Sequence, residues 1–328
     1  ARAPRADAAG EEQIAIIGMS CRYPQSADLD AFWDTLRTGR DCVVEVPPER
    51  WGDLAAWYDA DPKHADTAYS KWAGLLDDAD RFDPLFFGIS PAEAELIDPQ
   101  QRVFMEECWK AIESAGYAPS ALSGSACGVY VGCANGDYVR VLGEAGMDRR
   151  GASFMGTSSA ILAARIAYVL NLNGPALAID TACSSSLVAV HLACESIRRG
   201  ENTMALAGGV NVLTTPYGHI LTSQVGMPSR DGRCAAFDAS ANGIVFSEGC
   251  GVLVLKALSH AIRDNDEILG VIRASGSNQD GKTNGITAPS SNAQERLLRQ
   301  VYGRYGIDPA RIGYVEAHGT ATALGDPI

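Results

Sequence analysis

Apolar positions along this 328-residue chain follow two distinct patterns. Residues 14–19 (IAIIGM), 128–133 (GVYVGC), 176–179 (ALAI), 204–212 (MALAGGVNV) and 252–258 (VLVLKAL) are nearly unbroken apolar runs. They lack the alternation of a half-exposed strand and predict strands covered on both faces. Residues 268–274 (ILGVIRA) and 312–316 (IGYVE) predict two further strands. Elsewhere the spacing is helical, over 29–36, 98–115, 158–170 and 292–305, with a polar helix-like segment between residues 258 and 268. In 98–115, Val103, Phe104, Cys108, Ala111 and Ile112 share one face and Gly116 follows as a stop. Residues 43–71 are rich in Pro, Asp and Trp without any period and predict an irregular excursion, and 214–239 predicts a long loop. Strands alternating with helices predict an α/β fold, a parallel or mixed sheet with helices on both sides.

The stretch from Ala176 to Gly200 concentrates the chemistry. A short strand ends in a turn of small residues around Cys183, and a helix of about four turns follows. Leu187, Val190, Cys194 and Ile197 share one face of that helix, Ser184 to Ser186 fill its first turn, and Arg198, Arg199 and Gly200 close it. At the head of a helix, unpaired amides and the positive end of the dipole favour a thiolate. The competing reading is a buried structural thiol, the usual state of a free cysteine. The other eight cysteines (Cys21, Cys42, Cys108, Cys127, Cys133, Cys194, Cys234, Cys250) lack this setting and read as core fillers.

Composition narrows the function classes. A hydrophobic content of 46% and a mean hydropathy of -0.04 describe a globular chain that buries a sizeable core. No run reaches the roughly 18 apolar residues of a membrane span, so no membrane partner is expected. Residues 1–12 lack a methionine start and an apolar signal core and read as an interdomain linker. The nine cysteines form no CxxC pair, which predicts reduced thiols and a cytoplasmic location. A net charge of -13 argues against a nucleic-acid partner, since phosphate neutralisation needs basic surface.

GSNQDGKT (276–283) fits the P-loop pattern and follows a predicted strand. A P-loop needs a helix starting at its Lys-Thr pair. Here Asn284-Gly285 and Pro289 follow instead, which is turn chemistry, so a flexible or substrate-lining loop is expected. Of the five histidines, His191 lies eight residues beyond Cys183 on the same helix, about 12 Å by helical rise, and reads as packing. His64, His219 and His260 read as surface residues. His318 lies just past a predicted strand in a Gly-Thr turn, the same position as Cys183, and is the candidate partner for the thiol. The acidic run Asp77, Asp78, Asp80 and Asp83 lacks calcium-loop spacing, and no metal site is expected.

With these residues in view, the chain resembles the ketosynthase (β-ketoacyl synthase) domain of modular type I polyketide synthases, of the thiolase superfamily. DTACSSSL (180–187) resembles the family's nucleophile motif and EAHGTATALGDPI (316–328) its first catalytic-histidine motif. FDPLFFGISPAEAELIDPQQR (82–102) and FDASANGIVFSEGCG (237–251) resemble further family segments. Residues 69–84 and the loop PYGHILTSQVGMPSRDGRC look most like the branch supplied with extender units by separate acyltransferases. The resemblance implies a thiolase-like α-β-α-β-α fold of two related halves over residues 13–328, the first reaching to about residue 260, usually as a homodimer. It implies that Cys183 takes an acyl chain as a thioester from an acyl carrier protein, within a chain of neighbouring polyketide synthase domains. A malonyl-type extender on a carrier protein then loses CO2 and its carbanion attacks that thioester, a decarboxylative Claisen condensation. His318 would stabilise the enolate, and the Cys183 amide would serve the oxyanion. Thr320 and Thr322 would contact the phosphopantetheine arm, which the carrier protein brings, so that no cofactor is bound by the chain itself. Glu248 would support the site structurally.

Three departures stand out. Ala321 replaces the second glycine of the usual H-G-T-G-T, at a cost of about 1 kcal/mol if the position needs positive φ. Ser247 stands where a glycine is common. The family's lysine, second catalytic histidine and glycine-rich loop would lie beyond Ile328, so the second half is expected to be incomplete here. The alternative function is a non-elongating ketosynthase that only transfers acyl chains; such domains have commonly lost the histidine that His318 represents. A purely docking module is a third reading, which the intact nucleophile motif disfavours.

Overall fold

Runs of β-branched and small apolar residues form the strands β1 (Ile14–Arg22), β2 (Val43–Glu45), β3 (Trp72–Gly74), β4 (Cys127–Gly132), β5 (Ala176–Ile179), β6 (Met204–Asn211), β7 (Phe246–Ser247), β8 (Gly249–Ala257) and β9 (Gly270–Ile272). These come from a computed structural model that describes residues 11–64 and 66–328. Six strands join in one mixed sheet in the order β5-β4-β6-β8-β1-β9, and β2, β3 and β7 form a small second sheet. β4 pairs in parallel with β5 and β6, while β8 runs antiparallel to β6 and β1. The C-terminal ends of β1, β4, β5 and β6 therefore share one sheet edge with the start of β8.

Both faces of the large sheet are covered, as unbroken apolar runs require. Val129 and Val131 point into the core under helices Pro99–Ser114 and Ser159–Leu170, and Tyr130 between them points under helix Ser185–Arg198. The result is a helix–sheet–helix sandwich. Helix Leu29–Thr38 starts at an Asp28 cap, whose carboxylate accepts the Ala31 amide at 2.9 Å, and ends at Gly39 with φ 64°. No single described helix is long and apolar enough to cross a membrane. Residues 1–10 of the expected linker lie outside the described residues. Its last two are fixed to the domain: Arg304 donates to Glu11 at 3.1 Å, and Ser259 N donates to the Glu12 carboxylate at 2.8 Å.

Several expectations change. The irregular stretch 43–71 holds β2 and the helix Pro48–Trp51, and Val46, Trp51, Trp57 and Ala68 pack there with Ala73 and Leu75 as a separate core. The predicted loop 214–239 contains helix Tyr217–Gln224. On it His219 is 1% exposed, its Nε2 donates to the Trp72 carbonyl at 3.2 Å, and it is set against the Trp51 and Phe246 rings, so it is a core residue. β5 is a sheet edge with Ala176 and Leu177 exposed, not a covered strand. Residues 312–316 form no strand, because no described segment offers them a ladder, and Tyr314 and Val315 are exposed. In helix Ser185–Arg198 the buried face is Ser185, Ala189, Ala193, Cys194 and Ile197, whereas Leu187 is exposed. Small side chains let that helix lie close on the sheet. No helix starts at Lys282; the next begins at Ser291, capped by Ser290, so 276–283 is no phosphate cradle.

Asp98 caps helix Pro99–Ser114 by accepting the Gln100 amide at 2.8 Å, and is almost wholly buried. Burial pushes its carboxyl up to about 6, against the Gln100 hydrogen bonds and Arg102 and with the help of Asp137. The folded state thus holds a proton that the unfolded chain has released above about pH 4. Stability is expected to fall by about 2–3 kcal/mol as pH rises from about 4 to 6 on this account. Asp98→Asn keeps the cap and is expected to remove that slope, read as denaturation midpoints against pH; an unchanged slope would assign it to other groups.

Candidate active site

Cys183 sits in a single 3-10 turn, Ala182–Ser184, between β5 and helix Ser185–Arg198. Ala182 takes a left-handed conformation, φ 54°, a cost of roughly 1–2 kcal/mol for a non-glycine residue. Neighbouring side chains hold it there. Asp180 accepts the Ala182 amide at 3.1 Å, and the Ser185 hydroxyl donates to the Ala182 carbonyl at 2.7 Å while accepting the Thr181 amide at 2.9 Å. The sheet edge below is bare backbone. A Cβ on Gly132 would stand 2.4 Å from the Ser185 carbonyl carbon, and one on Gly209 would stand 2.7 Å from Ser186 Cβ. Glycine at both strand ends therefore lets the turn seat on the sheet.

The thiol of Cys183 is exposed. Cys21, Cys108, Cys127, Cys133, Cys194 and Cys250 are buried, as core fillers are. Burial pushes the Cys21, Cys133 and Cys194 thiols up to about 11 and Cys127 up to about 12, so they stay protonated and inert. Two cysteines depart from that reading. Cys42 is half-buried beside β2, and Cys234 is an exposed loop residue whose sulfur accepts the Val245 amide at 3.2 Å.

His318 is exposed in the turn that runs to Asp326. This turn docks on the loop before β7: Gly243 donates to the Ala321 carbonyl at 2.9 Å, and Phe237 N donates to Asp326 at 2.7 Å. That loop leads into β7 and the start of β8. Neither the Cys183 thiol nor the His318 ring is hydrogen-bonded to a described side chain. His191 is engaged elsewhere, its Nδ1 2.8 Å from Ser275 Oγ, and burial lowers its pKa. Thr320 and Thr322 sit together, their hydroxyl oxygens 2.9 Å apart.

Ala321 has φ 56° and a fully buried methyl. The strain of about 1–2 kcal/mol is opposed by about 0.8 kcal/mol from methyl burial and about 0.4–1 kcal/mol from a stiffer unfolded chain. Ala321→Gly is accordingly expected to move stability by less than about 1 kcal/mol in either direction. A shift of the thermal midpoint equivalent to more than about 2 kcal/mol would contradict this balance.

Glu248 is buried between β7 and β8 and ties three elements together. Its carboxylate accepts the Leu76 amide at 2.7 Å and the Leu213 amide at 2.8 Å, and pairs closely with Arg50, which also donates to the Leu76 carbonyl at 3.0 Å. Ser247 Oγ donates to the Glu248 carbonyl at 2.8 Å and fills the space over Gly74. Two further residues escaped the sequence reading. Asp137 accepts the Thr214 and Thr215 amides at 3.2 and 3.0 Å, anchoring the chain beyond β6, and Asp326 organises the His318 turn. Only Asp326 had a signal, its place in a motif; Asp137 stands in an unremarkable NGDY.

The family description "Beta-ketoacyl synthase, N-terminal domain" matches residues 11–261, and "Beta-ketoacyl synthase, C-terminal domain" matches residues 269–328. Polyketide synthase PksL of Bacillus subtilis is 50% identical over 97% of this chain and 7% of its own length. A phenolphthiocerol/phthiocerol polyketide synthase polypeptide of Mycobacterium bovis is 46% identical over 97% of this chain and 17% of its own. Among solved structures, the ketosynthase from module 6 of the bacillaene synthase of Bacillus subtilis 168 superimposes with a TM-score of 0.87 at 48% identity. It covers 96% of this chain and 52% of its own. The oxazolomycin ketosynthase domain OzmH KS7 of Streptomyces albus JA3453 gives 0.91 at 43% identity, covering 97% and 54%. The chain thus spans about half of these solved ketosynthases and a small fraction of the curated relatives. These matches place the chain in the β-ketoacyl synthase family, and over nearly all its length it is similar to ketosynthases of polyketide synthases.

Proposed function

We propose that this chain serves polyketide chain elongation by decarboxylative Claisen condensation. The Cys183 thiolate attacks an acyl thioester on a carrier protein's phosphopantetheine arm; the acyl–sulfur bond re-forms on Cys183 and the arm leaves as a thiol. A malonyl-type unit on a carrier protein then loses CO2, and its electron pair becomes an enolate held by His318 and by ordered donors. The enolate carbon attacks the acyl carbonyl, the new carbon–carbon bond forms, and the Cys183 thiolate is released. Thr320 and Thr322 contact the arm, and the Cys183 amide faces the oxyanion. The observation that most supports this reading is the exposed Cys183 thiol on the strained Ala182 turn between β5 and the helix Ser185–Arg198.

The test follows protein mass and released CO2 when the full protein meets an acyl thioester and a malonyl-loaded carrier protein. Elongation predicts a stoichiometric acyl adduct on Cys183, then CO2 and a product two carbons longer. An adduct without CO2 would instead favour acyl transfer alone, and no adduct would count against catalysis.

A homodimer is part of the same proposal. β5 leaves one side of its ladder unpaired, with Leu177 exposed on it and exposed Tyr168 on the helix Ser159–Leu170 that packs against it. An edge strand with apolar neighbours is a template for a second copy. Leu177→Lys combined with Tyr168→Glu is expected to shift the protein from dimer to monomer in light scattering; a monomeric unmodified protein would sink this part.

A further inference from the structure

The turn from His318 to Asp326 closes a hydrogen-bond circuit. Asp326 Oδ2 accepts the Phe237 amide at 2.7 Å. Its Oδ1 accepts the Ala321 amide at 3.0 Å and the Thr320 hydroxyl at 3.2 Å. A carboxylate only accepts, so the Thr320 proton points at Asp326. Thr320 Oγ1 then receives the Thr322 hydroxyl proton across 2.9 Å, and Thr322 Oγ1 accepts the Gly325 amide at 3.0 Å. The cluster is tight: a Cβ on Gly325 would stand 2.4 Å from Thr320 Oγ1 and 2.7 Å from Thr322 Oγ1.

Each hydroxyl offers one proton and two lone pairs. Both protons, and one lone pair on each oxygen, are used inside the turn. Each half-buried threonine keeps one lone pair and no proton. We propose that Asp326 is a positioning residue that fixes this polarity, so that the threonine pair takes N–H donors of the pantetheine arm and not its carbonyl groups. The proposal rests on the reading that Thr320 and Thr322 contact the arm. Asp326 also holds Phe237 and Ala321, both at positive φ, so it sets the shape of the turn along with its polarity. The Phe237 amide, with Thr320 and Ala321, holds the Asp326 carboxyl below the usual carboxylate range. The circuit therefore persists throughout the neutral range.

The test compares acyl thioesters of pantetheine with analogues in which one arm amide N–H is replaced by an ester oxygen. The unmodified full protein is expected to use the amide compound 10- to 100-fold better in kcat/KM for at least one of the two linkages. In Asp326→Asn the side-chain amide can donate to Thr320 Oγ1 and reverse the circuit, and the preference is expected to fall below about 3-fold. The ratio is read at whatever absolute rate the variant retains, which a merely structural role would lower without changing the preference. Should Asp326→Asn not fold, Thr322→Val breaks the circuit from the other end and must also lower the ratio. An unchanged ratio in the variants, or no preference in an unmodified protein that does acylate Cys183, overturns the inference alone. Absence of any Cys183 acylation overturns the reading beneath it.

Discussion

Cys183→Ala is expected to abolish the acyl adduct while leaving the fold intact. The side chain is exposed, so its loss should change stability by no more than about 0.5 kcal/mol. Any loss of activity is then chemical. No other thiol can substitute: six are buried and held protonated, and neither Cys42 nor Cys234 stands at the end of a sheet strand on a strained turn. In the proposed mechanism enolate formation depends on His318 and not on the sulfur, so Cys183→Ala is expected still to release CO2 from a malonyl-loaded carrier, uncoupled from extension. His318→Ala should do the reverse, keeping the adduct while CO2 release falls about 10²–10³-fold, the usual effect of removing one donor from developing negative charge. Mass spectrometry and CO2 release on the two variants read the two steps separately. An adduct that persists in Cys183→Ala would move the nucleophile elsewhere.

Glu248→Ala is expected to be the most destabilising single change at the site, by about 3–5 kcal/mol. The substitution strands the Arg50 guanidinium and the Leu76 and Leu213 amides, which all lose an acceptor at once. Arg50 keeps about a quarter of its side chain in water, which places the loss toward the lower end of that range. Glu248→Gln should cost less, since it keeps an acceptor for the amides. Pairing Glu248→Leu with Arg50→Met should recover much of the loss, because a buried pair contributes little once both charges are gone. Urea midpoints at constant slope would measure this. A loss below about 1 kcal/mol for Glu248→Ala would mean that water replaces the carboxylate.

How far the sequence was legible follows from what each element is made of. β1, β4, β6 and β8 were readable because burial on both faces leaves unbroken apolar runs. Helix Pro99–Ser114 was readable because its cap, period and stop agree. β2, β3 and β7 were not, since strands of two or three residues carry no period. His219 was misplaced because its burial comes from Trp51, Trp72 and Phe246, three distant parts of the chain. Residues 312–316 have the composition of a strand, yet a strand exists only with a partner to bond. In the site, Cys183 and His318 could be picked out from turn chemistry at strand ends. The strain at Ala182 and the hub at Asp326 are properties of backbone angles and of contacts across loops, which no local pattern encodes.

The position of β1 also has a consequence in time. It lies between β8 and β9, with Ile14 opposite both Ala257 and Ile272, so a strand made early in the domain is seated by two made more than 200 residues later. Ribosomes add about 5–20 residues per second, so an emerging β1 waits on the order of ten seconds or more for its neighbours. Through that interval IAIIGM is an unpaired apolar strand, which is the kind of segment that chaperones shelter and that aggregates capture. Yield in a cell should therefore respond to translation speed and chaperone supply.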